Sequence, residues 1–151
     1  MTKKKIVLFV ALPILLLATG FVAKTMLLAS TPPDETALAK RPGPIYTMAE
    51  PFTVNLSDRG ESPHFAKVGV ALRFSELSAP EIVPAKGAAL ASVATDAELR
   101  DIVIATLQRR SSAELSQPAG RAEVKKQIID TVNTQTDLKI LDVYYTEFAV
   151  Q

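Results

Sequence analysis

The apolar and polar positions of this chain divide it into two unlike parts. Eighteen uncharged residues start at Ile6, mostly Leu, Val, Ile, Ala and Phe, with Lys3, Lys4 and Lys5 directly before them and Lys24 directly after. As a helix such a run rises about 27 Å, close to the depth of a bilayer's hydrocarbon layer. Met26, Leu27 and Leu28 extend it past a lysine whose ammonium can reach the headgroups. The pattern predicts a transmembrane anchor over residues 6–28, in which Pro13 is tolerable because neighbouring groups can satisfy the freed carbonyl. A cleaved signal peptide also begins with lysines, and Ala18-Thr19-Gly20 loosely resembles a processing site, but the apolar core of such a peptide runs only about 7–15 residues. The lysine bias then assigns residues 1–5 to a cytoplasmic tail and everything after Leu28 to the far side of the membrane. In a Gram-negative cell this is a single-pass inner-membrane protein with a periplasmic body. No ionisable group stands between Ile6 and Ala23, so the helix is expected to tether, not to conduct ions or relay protons.

Prolines mark the change of regime. Thr31-Pro32-Pro33-Asp34-Glu35 and Lys40-Arg41-Pro42-Gly43-Pro44 deny amide donors to helix and sheet, so residues 29–44 read as an extended spacer reaching roughly 45 Å at most. Residues 45–151 show the periodicities of a small α+β domain. Phe52, Val54 and Leu56 alternate within a strand predicted from Tyr46 to Leu56, with Pro51 arguing for an edge or a bulge. After the polar turn 57–63, Ala66, Val68, Val70, Leu72 and Phe74 form one face of a second strand, antiparallel to the first. Residues 78–94, broken by Pro80 and Pro84, read as a loop with room for a helical turn. Thr95 and Glu98 have capping-box spacing, so a helix starts there and buries Leu99, Ile102, Val103, Thr106 and Leu107. A second helix over 121–133 buries Val124, Ile128, Ile129 and Val132. The closing run 138–150 is apolar on both faces, Ile140, Tyr144, Phe148 and Val150 against Leu141, Val143, Tyr145 and Ala149, as expected of a strand that is central in the sheet or covered on both sides. The expected architecture is a small mixed sheet packed with two helices.

Charge and composition narrow the chemistry. Up to Pro44 the chain has 6 Lys/Arg against 2 Asp/Glu, and from Ile45 onward 11 against 14, so a basic end precedes a mildly acidic body. That body lacks the concentrated basic face that nucleic acid requires. With no cysteine and one histidine, His64, thiolate nucleophiles and cysteinyl metal sites are excluded. A hydrolytic triad would have to combine His64 with Asp58 and either Ser57 or Ser62, all on one turn, without a nucleophile elbow or phosphate loop. We therefore expect no catalytic residue, metal, cofactor or small-molecule substrate. His64 reads as a strand-start residue, Tyr144 and Tyr145 as sheet packing, and the Arg109-Arg110 pair as complementing a helix dipole or meeting an acidic partner.

The lysine-led anchor, the Pro-rich spacer, Pro51-Phe52-Thr53-Val54-Asn55-Leu56 and Lys67-Val68-Gly69-Val70-Ala71-Leu72 occur in a distinctive order. They are followed by a helix 99–107 ending in Arg-Ser-Ser and by the tail Val143-Tyr144-Tyr145-Thr146-Glu147-Phe148-Ala149-Val150-Gln151. Together these features resemble the FliL family of flagellar basal-body proteins over nearly the whole chain. The departure is residues 80–95, which are more Pro/Ala-rich than is usual in the family. The resemblance implies a body similar to the stomatin-like (SPFH) fold. It also implies a non-enzymatic scaffold that joins the flagellar stator units and basal body, forms a ring of copies, and supports torque generation in swimming, swarming or chemotaxis. The alternative is a generic membrane-anchored periplasmic adaptor of a secretion or envelope complex.

Overall fold

Alternation makes one strand the organiser of the fold. In the computed structural model of the chain, which describes residues 34–58, 60, 62–83 and 92–151, the eleven-residue strand β3 (Phe65–Ser75) buries Ala66, Val68, Val70, Leu72 and Phe74 on its inner face. It is paired along both edges. On one side lies β6 (Ile140–Val150), with Ala66 opposite Val150 and Phe74 opposite Ile140. On the other side β1 (Pro42–Thr47) and β2 (Phe52–Asn55) follow one another, Thr47 opposite Ala71 and Phe52 opposite Val68. The single strand expected between Tyr46 and Leu56 is therefore two strands, parted at residues 48–51, where Pro51 has no amide to donate. Every pairing among the described residues is antiparallel, which corrects the expected mixed sheet. A separate ribbon joins β4 (Ile82–Val83) to β5 (Ser92–Val93) just after a 3-10 turn at Ala79–Glu81.

Among the described residues, the helices that carry buried side chains cover the inner face. After a four-residue helix α1 (Glu35–Leu38) come α2 (Asp96–Gln108), α3 (Ser112–Ser116) and α4 (Pro118–Gln135). The predicted stripe of α2 is buried in full, and Val124, Ile128 and Val132 of α4 join it, while Ile129 is only partly buried. These side chains and the inner face of β3 form one cluster, in which each fully buried Leu, Ile or Phe contributes about 1.5–3 kcal/mol. Among the described residues the architecture is thus α+β in two layers, with three α-helices after the sheet's central strand where two were expected. α4 starts earlier than position 121 because Pro118 suits the first helical turn, where no amide is needed. Gly120 sits there because a Cβ would collide with the Glu114 carbonyl of α3. The capping box expected at Thr95 does not form: no side chain caps α2, and Thr95 Oγ1 is buried without a partner. The box is instead built by Ser111 and Glu114 at the start of α3.

β6 differs most from its reading. The register slips between its pairings with Gly69 and Val70, and again between those with Arg73 and Phe74, leaving Thr146 and Leu141 unpaired. Each bulge resets the alternation by one residue. Ile140, Val143, Tyr145, Phe148 and Val150 consequently share the core side, and Tyr144 turns outward. β6 is also not central, since among the described residues it is an edge strand paired only with β3. Gly69 matches the Thr146 bulge, because a Cβ there would strike Thr146 Oγ1.

Two further expectations change. The spacer read over 29–44 belongs from Glu35 onward to the same unit as the rest of the domain, Glu35–Gln151. Arg73 holds that segment by donating from Nη1 to the Gly43 carbonyl at 3.3 Å. The fold class read from the sequence included a transmembrane helix, and this too is corrected: among the described residues no helix is long and apolar enough to cross a membrane. The longest of them, the 18-residue α4, carries Arg121, Glu123, Lys125, Lys126 and Asp130, charges that hydrocarbon would not accept. The single-pass topology with a cytoplasmic amino end and a periplasmic domain therefore has no support in the described structure and is withdrawn. Residues 6–28, on which it was placed, and the tail 1–5 lie outside the described residues.

Candidate interaction surface

Of the polar side chains on the turn after β2, that of Asp58 joins two elements. Asp58, just beyond β2, accepts hydrogen bonds at 2.8 Å from both the amide and the hydroxyl of Ser112 at the start of α3. Next to it the Ser57 amide donates to the Arg110 carbonyl at 2.9 Å. Partial desolvation pushes the Asp58 carboxyl up, but the Ser112 bonds and the charge of His64 outweigh it and hold the group below the ordinary carboxylate range. Glu114 is likewise held low, first by the Ser111 amide and hydroxyl that bond it and then by the charge of Arg110. The serine that meets Asp58 is thus Ser112, 54 residues away in sequence, and not Ser57 or Ser62. His64 lies just before β3, its carbonyl accepting from the Leu56 amide at 2.9 Å. No group of three or more His, Cys, Asp or Glu that could hold a metal occurs among the described residues.

This clamp gives a pH dependence with a definite sign. A carboxyl whose pKa is lower folded than unfolded adds stability above its unfolded value and loses it as pH falls through the folded one. Below the ordinary carboxylate range the domain should therefore unfold at progressively lower urea concentration. Asp58→Asn should flatten that slope while lowering the midpoint at neutral pH. Equal slopes in the two proteins would remove Asp58 from the account.

The tyrosines serve packing, on opposite faces. The Tyr144 hydroxyl accepts from Arg73 Nε at 3.1 Å on the outer face. Tyr145 donates to the Arg121 carbonyl at 3.1 Å, and its ring lies 4.8 Å from that of Phe148. Burial pushes its phenol up to about 12.

Two surface clefts flank α2. One, of about 380 Å³, is lined by Thr106, Arg109 and Arg110 of the helix end and by Gln127, Asp130 and Thr131 of α4. Arg109 is exposed there, whereas Arg110 turns to Glu114 at 3.7 Å. The other, of about 360 Å³, runs between β2 and the Arg100, Ile104 and Gln108 stripe of α2. Arg100 lies with its guanidinium 4.5 Å from the Phe52 ring centroid, a cation–π arrangement that leaves its charge unneutralised. Sequence patterning missed this cleft, because the three helix positions are spaced like any solvated face and only the path of β2 beside them makes a groove.

Known proteins agree on one relationship. The model of the family described as flagellar basal body-associated protein FliL matches residues 45–151, nearly all of the folded unit. The flagellar protein FliL of Aquifex aeolicus (strain VF5) is 27% identical over 110 residues, which cover 72% of this chain and 62% of that relative. The chain thus spans less than two-thirds of the relative's length. With the family match covering most of the folded unit, the chain belongs to the family of flagellar basal body-associated protein FliL.

Proposed function

We propose that this chain acts by contact at the flagellar motor: it associates with stator units, gathers with copies of itself into a ring or partial ring, and thereby supports torque generation in swimming or swarming. The reading rests on the family match spanning the α+β unit. Many weak contacts repeated around a ring raise the effective concentration of each, so a collar can favour one stator conformation without any contact being strong alone. A partner's equilibrium shifts only by the difference in contact free energy between its two states.

The test is motility with assembly monitored. Deleting the gene should weaken swimming under viscous load or swarming while filaments still assemble, and cross-links from the folded unit to stator proteins should form in cells with turning motors. Self-contacts alone under functioning motors would defeat the proposal. Altered growth or detergent sensitivity with normal motility would point to an envelope adaptor instead.

A further inference from the structure

The outer edge of β2 is an unfinished sheet beside a charged helix stripe. In the antiparallel ladder with β3, the amide of Leu56 donates to the carbonyl of His64, which fixes the parity. Phe52, Val54 and Leu56 turn their backbone groups toward β3, and Thr53 and Asn55 turn theirs away. The next residue of that outward set, Ser57, has its amide satisfied by the carbonyl of Arg110, whereas the amides and carbonyls of Thr53 and Asn55 have no partner among the described residues. The edge is open over those two residues and closed after them.

α2 runs alongside in the same direction. Arg100 stands at Phe52, and Arg110 meets Ser57. Ten residues of helix rise about 15 Å and five of strand about 17 Å, so the two elements stay level. Ile104 is consequently placed near Val54, and together these residues wall the 360 Å³ cleft. Arg100 has no carboxylate within ion-pair distance among the described residues.

We propose that this cleft binds a short extended peptide segment that adds to β2 as an antiparallel strand and carries an acidic side chain to Arg100. Two guest residues, opposite Asn55 and Thr53, exchange backbone hydrogen bonds with them. Side chains opposite Val54 and Phe52 then point toward the helix, because cross-strand partners share a face. The first meets Ile104 and the second meets Arg100, which makes the recognised pattern apolar-x-acidic in the guest's chain direction. Backbone pairing supplies affinity and the two side chains supply selectivity, as in other strand-addition sites. The proposal goes beyond the flagellar reading and does not depend on which protein supplies the segment.

The probe is a fluorescein-labelled Thr-Val-Thr-Glu-Thr-Thr peptide, with a twin carrying Lys in place of Glu, titrated into the full chain by fluorescence anisotropy. The unaltered protein should bind the Glu peptide about tenfold more tightly than the Lys peptide, as one charge-assisted contact implies. Arg100→Glu should reverse that preference. Thr53→Pro deletes an amide that faces away from β3, so an edge strand tolerates it. It should weaken both peptides about tenfold with an unchanged circular dichroism spectrum. Should Thr53→Pro unfold the chain, Arg100→Glu alone decides through the reversal, which loss of fold cannot produce. Absence of binding to the folded wild-type chain, or binding indifferent to both substitutions, overturns the proposal. So does sedimentation showing that two copies occupy the edge and that Thr53→Pro separates them.

Discussion

Phe74→Ala should lower the unfolding free energy by about 3–5 kcal/mol, a large share of the roughly 5–15 kcal/mol typical of a domain. Phe74 is completely buried near the carboxyl end of β3, between β1 and Ile140 of β6. Its ring meets Tyr46 edge-on at 6.4 Å between centroids. Tyr46 in turn donates its hydroxyl to Asp96 Oδ1 at 2.7 Å, linking the sheet to the first turn of α2. Removing the Phe74 ring leaves a void and frees Tyr46, so the damage should extend to the start of α2. A second readout separates this route from simple loss of apolar burial. Burial, followed by the bond and charge of Asp96, pushes the Tyr46 phenol up to about 12. A raised value means stability that is complete below the ordinary tyrosine pKa and is lost as pH rises through about 12. In the variant the Tyr46 titration, followed by absorbance, should move back toward its ordinary value. A urea midpoint within experimental error of wild type would contradict the packing described above.

Leu115→Ala should cost about 2–5 kcal/mol. α3 has five residues and one buried side chain, Leu115, too short a helix to persist without tertiary contacts. Yet this turn holds Ser112 against Asp58, carries Glu114 against which Gly120 packs, and presents the Leu115 and Ser116 carbonyls to Arg121. Its release should therefore expose the amides of residues 111–121 to hydrogen exchange before those of β3. Uniform acceleration across the domain would show that α3 has no separate standing.

What could be read from the sequence follows the physics of each segment. The inner face of β3 and the stripe of α2 were legible because each buries one face only, so a single period accounts for every position. β6 was misread because two inserted residues shift its period, and nothing local in Leu141 or Thr146 announces a bulge; the matching signal is Gly69, on another strand. Thr95 and Glu98 have the spacing of a cap, but Thr95 is turned into the protein, and Ser111 with Glu114 makes the box by the same rule. The Asp58–Ser112 joint and the β2–α2 cleft were illegible for a common reason. Both depend on residues brought together across about a third of the chain, and no periodicity carries that information.

The bulges of β6 also bear on how the folded unit avoids pairing edge to edge with other chains. A long, regular free edge would let one copy template the next without limit and seed fibres. Here the backbone at Leu141 and Thr146 is displaced from the ladder, and the opposite edge is divided between β2, four residues long, and β1, six residues long with a register shift between Pro42 and Ile45. Neither border offers a long, unbroken straight row of donors and acceptors, so any edge-to-edge pairing of copies is confined to short stretches.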